Sequence, residues 1–187
     1  ANGYGTSAAG TVADVKVMGF NQSTDGKSFA GTAGSSTAIN LTHGLRINGV
    51  KIGVSDDSSA LSKAAAINKL TDQTGVIATA KTEVKVTTAL ANIGAATSVK
   101  INGTEITTLS TQTTMQGVVS EINRNLNGVR ASTDIDGNLI LTSQGADISV
   151  EDATGFMTGI ASTSGDASSG AIAAAGGATV KGRISLS

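Results

Sequence analysis

Few residues in this chain could do covalent or acid–base chemistry. His43 is the sole histidine and there is no cysteine. Neither a His-based triad nor a thiol nucleophile can be assembled, and the usual Cys/His zinc sites are unavailable. A lone histidine in a loop is ordinarily incidental. The run Asp134-Ile135-Asp136-Gly137-Asn138 begins as a calcium loop does, but Leu139 stands where that loop needs glycine and Gly145 where it needs a bidentate glutamate. A hairpin turn explains the same residues. Asp56 and Asp57 could assist a metal or an acid–base step, yet capping the alanine-rich stretch that follows requires fewer assumptions. Gly3-Tyr4-Gly5 lacks the preceding strand and the spacing of a phosphate loop. Asn21-Gln22-Ser23, Asn40-Leu41-Thr42 and Asn102-Gly103-Thr104 fit the N-glycosylation tripeptide at the rate this composition produces by chance. No catalytic, cofactor-binding or metal-binding residue is assigned, no cofactor is expected, and the chain reads as a non-enzyme.

Composition points the same way. A chain of 187 residues can build one good core or two small ones. Aromatic residues make up 2%, with three Phe, one Tyr and no Trp, so the core falls to Val, Ile, Leu, Ala and Met and must be thin. Thirteen basic residues face 14 acidic ones, for a formal net charge of −1. No basic patch emerges to attract phosphates, so no nucleic-acid partner is expected. No apolar run of about 18 residues exists, so no membrane insertion is expected. No charged-then-apolar leader opens the sequence. The absence of cysteine fits a reducing compartment or an export route travelled unfolded. With no proline and 24 glycines, turns must be made by Gly, Asn and Asp. About a quarter of the chain is Ser or Thr, which suits a β-rich, solvent-facing domain, and regular apolar alternation argues against global disorder.

The elements that would position these residues follow from periodicity. Residues 1–10 read as a connector, residues 11–20 as a strand, and Asp25–Gly26 as a turn into a returning strand at 27–30. Residues 31–37 read as loop. In residues 45–54, Asn48–Gly49 separates two short apolar–basic alternations, as in a type I′ hairpin. A helix is expected over residues 59–75, with Ala60, Ala64 and Ile67 on one face and Gly75 at its end. Residues 76–86 alternate as a strand, and residues 87–98 form a loop or short helix. A better-written unit starts at Val99. Met115, Val118, Val119, Ile122 and Leu126 form an apolar stripe, interrupted by Gly117, which costs about 1 kcal/mol against alanine and makes the helix depend on docking. Gly128 follows the helix, and residues 129–134 and 139–143 flank the Asp136–Gly137 hairpin. Gly145 turns the chain into a strand at 147–151. Residues 153–178 read as a surface loop or long connection. Residues 179–186 return to alternation and could pair with residues 12–17, bringing the ends together as an inserted domain requires.

Two segments repeat. Ile47-Asn48-Gly49, Ile67-Asn68 and Gly75-Val76 match Ile101-Asn102-Gly103, Ile122-Asn123 and Gly128-Val129 in order and almost in spacing. The fold expected is α+β and β-rich: two related β-α-β-β units of mostly antiparallel strands plus a pair of terminal strands, in one or two lobes. The divisions are 1–44 for the entry connector and strands, 45–98 for the first unit, 99–152 for the second, and 153–187 for the Gly/Ala/Ser-rich return and closing strand.

An Ile-Asn-Gly turn, a helix ending in Ile-Asn, then Gly-Val and an Asp-Gly-Asn hairpin together resemble the "IN" motif of bacterial flagellins and hook-associated proteins. The match is closest over residues 116–148. The first copy matches through its helix but has no Asp-Gly-Asn hairpin, which leaves its third strand open. The closing Val-Lys-Gly-Arg-Ile-Ser-Leu resembles the strand by which flagellin central regions run back to the conserved core. The resemblance covers about half the chain and implies a structural role. It places the chain in the central, variable region of a flagellin, without the polymerising terminal helices, on the extracellular surface of the flagellar filament. Motility, antigenic variation and surface display come with it, as does possible O-glycosylation of Ser or Thr. The implied partners are other flagellin subunits, met through core regions absent here, glycans, and host antibodies. Alternatives are the exposed domain of a flagellar cap or hook-associated protein, or a carbohydrate-binding adhesin module, for which one Tyr and three Phe offer few aromatic platforms.

Overall fold

The computed structural model describes residues 20–22, 29–31, 36–42, 44–163, 169–172 and 177–187. The expected connector at 1–10, the strand over 11–19, the Asp25–Gly26 turn and His43 lie outside the described residues. The chain divides into two compact units, one comprising Ala1–Lys81 and Lys181–Ser187, the other Thr82–Val180. The second unit is thus inserted in the first. The four-part division at 44/45, 98/99 and 152/153 follows the sequence repeat; the compact units are cut elsewhere, within a long strand and just before the last one.

In the first unit, β1 (Phe20–Gln22) pairs antiparallel with β2 (Phe29–Gly31). A hairpin follows, β3 (Arg46–Ile47) and β4 (Val50–Lys51). Its turn residues Asn48 and Gly49 have φ of 49° and 82°, the two left-handed positions of a type I′ turn. The side chains of Leu45, Ile47 and Ile52 are buried beside Ile39. Helix α1 (Ala60–Asn68) buries Ala60, Ala64, Ala66 and Ile67. Its cap is Ser59, whose Oγ accepts from the Ser62 N–H at 3.2 Å. Asp57 acts one step earlier, accepting from both the N–H and the hydroxyl of Ser59. The single helix expected over 59–75 is instead two. After Asn68 the chain breaks, Leu70 adopts φ −119° and packs partly buried on the core, and a short α2 (Thr71–Thr74) ends at Gly75, φ 67°. The first residues of β5 (Ala78–Thr88) then pair antiparallel with β14 (Arg183–Leu186), Ala78 opposite Leu186 and Ala80 opposite Ile184. This is the pairing observed for the closing strand; its expected partner at 12–17 lies outside the described residues.

The second unit takes up the rest of β5. Its strands are β6 (Val99–Ile101), β7 (Thr104–Ile106), β8 (Val129–Thr133), β9 (Leu139–Ser143), β10 (Ile148–Glu151), β11 (Met157–Ser162), β12 (Ser169–Ala171) and β13 (Ala178–Val180). They form two antiparallel sheets, in the orders β12-β11-β5-β9-β8 and β13-β10-β6-β7. Helix α3 (Met115–Asn125) packs against β8 and β7. Alternation sets the register: Val84 lies opposite Leu141 and Val86 opposite Leu139, and all four are buried. Phe156 is wholly buried in the same core, which is otherwise aliphatic. The fold class is α+β, dominated by antiparallel strands.

A second expectation is overturned. Residues 153–178 are not a plain connection, because β11 runs beside β5 from Met157 to Ser162 and β12 pairs with β11. Small residues give a weak local strand signal. The strand exists because β5 offers a free ladder edge and a buried face for Met157 and Ile160. The glycines also let the backbones approach. A Cβ on Gly170 would stand 2.7 Å from the Ala178 Cβ, and one on Gly177 would stand 2.9 Å from the Val150 oxygen.

Candidate functional site

The sequence repeat becomes a repeated set of hydrogen bonds. In α1, the Asn68 Nδ2 donates to the Ala78 oxygen at 2.8 Å and the Asn68 Oδ1 accepts from the Ala78 N–H at 2.7 Å. In α3, Asn123 does the same to Ala131, at 2.9 and 2.7 Å. A side-chain amide has the donor–acceptor pair of a peptide group, so each Asn pairs with its strand as a neighbouring strand residue would. The Ile before each Asn, Ile67 and Ile122, has no exposed surface. Ile-Asn therefore supplies a core anchor and a helix-to-strand clamp from two adjacent residues. Thr114 caps α3 as Ser59 caps α1, accepting from Gly117 N–H at 3.2 Å.

The Asn of each Ile-Asn-Gly turn also works, though less uniformly. Both adopt φ 49°. Asn102 donates through Nδ2 to the Asp147 oxygen at 3.1 Å, accepts from Ser149 N–H at 2.7 Å, and its own N–H reaches the Ser149 oxygen at 2.9 Å. This ties the hairpin to β10. Asn48 donates to the Thr74 oxygen at 2.7 Å, tying its hairpin to the end of α2.

The Asp134 turn is built to close a hairpin. Its Oδ1 accepts from the Asp136 and Asn138 N–H groups at 3.0 and 2.8 Å, and both carboxylate oxygens take the Asn138 amide. That amide first, then the backbone N–H groups and Lys85 (3.6 Å away), hold the Asp134 carboxyl below its ordinary range against desolvation. Its oxygens are committed to the turn, and Ile135 stands fully exposed at the tip. Glu121 is similarly committed, and the Thr108 hydroxyl at 2.6 Å is the chief cause of its lowered pKa, with Arg124 and Asn125 adding to it. The Ser59 hydroxyl and N–H likewise lower Asp57. Among the described residues no group of three or more His, Asp or Glu side chains could hold a metal ion.

The three glycosylation tripeptides fare differently. Asn102 spends its amide on β10, Asn40 accepts from the N–H and hydroxyl of Thr42, and Asn21 lies in β1. Gly3, Tyr4 and Gly5 lie outside the described residues. Two features escaped sequence reading. Asp152, buried, takes the Thr154 and Met157 N–H groups at 2.7 and 2.6 Å and closes the bend into β11; the signal available was an Asp two residues before Thr, an Asx-turn pattern. The other is the pair of hydrogen bonds from each Ile-Asn amide to the strand, for which no local pattern exists.

Among the described residues no helix is long and apolar enough to cross a membrane. The chain matches no curated protein. Residues 98–145 match the family described as the flagellin hook IN motif, and in this stretch, whose clamps recur in the first unit, the chain is similar to the central region of a flagellin- or hook-type structural protein.

Proposed function

We propose that this chain is the outward-facing structural domain of a flagellin subunit in the bacterial filament. It displays surface rather than performing catalysis. The observation that carries this reading is the coincidence of the matched stretch, residues 98–145, with the second copy of the clamped repeat. The flagellin family is structural rather than enzymatic and implies assembly with other flagellin subunits in an extracellular filament. Here that assembly runs through core regions outside this sequence, and the present chain faces the medium. The carboxylates of Asp57, Asp134 and Glu121 and the amides of Asn68, Asn102 and Asn123 are engaged in turns and clamps. Exposed hydroxyls such as Ser120, Ser132 and Thr133 offer places for glycans, and the loops offer antibody epitopes that vary without disturbing the core.

The family description also names the hook, which favours a second reading as the exposed domain of a cap or hook-associated protein. Electron microscopy of native flagella labelled with antibody to this chain separates the two. Gold along the whole filament supports the flagellin reading. Gold confined to the tip or the hook–filament junction transfers the chain to the second. An unlabelled flagellum removes both. Intact mass of the native protein equal to that of the bare polypeptide would sink the glycan suggestion.

A further inference from the structure

We propose that Asn127–Gly128 is a site of spontaneous deamidation, the one among the described Asn-Gly pairs that the fold leaves open to reaction. Three such pairs are described: 48–49, 102–103 and 127–128. The reaction needs the peptide nitrogen of the glycine to reach the Asn Cγ, and glycine, having no side chain, obstructs that approach least. The nitrogen of Gly128 bonds to Cγ of Asn127, the Cγ–Nδ2 bond breaks, and ammonia leaves, giving a cyclic imide. Water then opens the ring at one carbonyl or the other, yielding aspartate or isoaspartate.

Two of the three pairs are held out of this path. The Asn48 amide is fixed to the Thr74 oxygen. The Asn102 amide is fixed at both ends, to Asp147 and Ser149, and its backbone N–H is tied to Ser149. Rotating either Cγ onto the following nitrogen requires those bonds to open first. Asn127 is exposed and its side chain makes no hydrogen bond among the described residues, in the short link between α3 and β8. Gly128, at φ 87°, is exposed as well. The product matters to the fold nearby. Either outcome adds a negative charge just beyond the carbonyl end of α3, where anions are disfavoured. Isoaspartate further lengthens the backbone between the Asn123 clamp and its strand.

The purified chain, held at pH 8 and 37 °C and sampled over weeks, tests this. Trypsin places the three sites in separate peptides, 47–51, 101–124 and 125–130. Fragment ions distinguish Asn127 from Asn125, whose amide is bonded to Glu121. We expect Asn127 to gain the mass of –NH2 replaced by –OH at least roughly tenfold faster than Asn48 or Asn102, because those two must open locally before reacting. In guanidinium, where no fold protects any site, the three rates should agree within about threefold. Equal native rates at the three sites, or an Asn127 that stays unchanged while the denatured chain reacts, would overturn the proposal. So would conversion that appears only during digestion and does not grow with storage time.

Discussion

The two copies of the repeat are the same construction finished in different ways. The second copy turns at residues 134–138 and returns at once as β9, placing Leu141 opposite Ala131. The first copy reaches the equivalent point in β5, and the chain departs for the whole of Thr82–Val180 before β14 brings Leu186 opposite Ala78. Leu139 and Ile184 occupy corresponding buried places. The missing third strand of the first copy is therefore present, supplied by the end of the chain, and the Asp-Gly-Asn turn is replaced by an entire unit. What is retained in both is the hairpin with its left-handed Asn-Gly, the capped helix and the Ile-Asn clamp. What differs is what each copy adds. Lys63 and Ala66 are buried in α1 where α3 has Val118 and Glu121, and Glu121 ties α3 to the 3-10 turn Thr107–Thr111 through Thr108.

The equivalence can be tested in order of expected effect. Ile67→Ala and Ile122→Ala should each cost about 3–4 kcal/mol, since both side chains are fully buried and their removal leaves a cavity. Calorimetric unfolding of the full chain measures this, and a cost below about 1 kcal/mol at one site would end the claim that the anchors are alike. Asn68→Ala and Asn123→Ala should each cost about 2–3 kcal/mol by losing two hydrogen bonds and leaving strand peptide groups unmatched. Hydrogen exchange should show Ala78 losing protection in the first variant and Ala131 in the second, each without the other. If protection stays put, the amides are not clamps.

The turn asparagines should separate the copies. Glycine tolerates the φ of 49°, so Asn102→Gly removes side-chain bonds without backbone strain. It should cost about 1–2 kcal/mol, while Asn48→Gly, with one bond to lose, should cost under about 1 kcal/mol. The reverse order would contradict the observed bonding. The smallest effect concerns acid. The pKa of Glu121 is lowered in the fold from an ordinary value of 4.5, so its contribution is fully present above that value and fades as pH falls through the folded one. Exchange at α3 amides, corrected for intrinsic rates, should rise below about pH 4 in the native chain and flatten in Glu121→Gln. Ala66 stands at the matching place in α1, so α1 amides should not respond to that substitution. A response there would break the contrast.

Much of this was legible in sequence because it is local. Asn48–Gly49 and Asn102–Gly103 specify their turns almost alone, the stripe of α3 specifies its buried face, and Asp136–Gly137 marks a hairpin. The break after Asn68 was not legible, since Leu70 turns inward only because a core exists to receive it. Nor was β11, whose Gly, Ala, Ser and Thr carry little intrinsic preference and become strand by lying against β5. On the chemistry side, Asp57 and Asp134 stand in acidic runs that have the composition of sites, and their carboxylates make the hydrogen bonds of a cap and a turn.

The insertion sets an order in time. A hairpin such as β8–β9 can close as soon as its few turn residues exist, whereas the ladder between β5 and β14 joins residues 78–81 to residues 183–186 across the whole inserted stretch, and distant contacts form late. As the polypeptide emerges from its N-terminus, the first unit must wait with its sheet incomplete until the inserted unit is fully out. The inserted unit has all its strands from β5 to β13 available and can condense first, shortening the effective loop that the last strand must span. Folding would then run from the inside outward, with the closing strand acting as the latch.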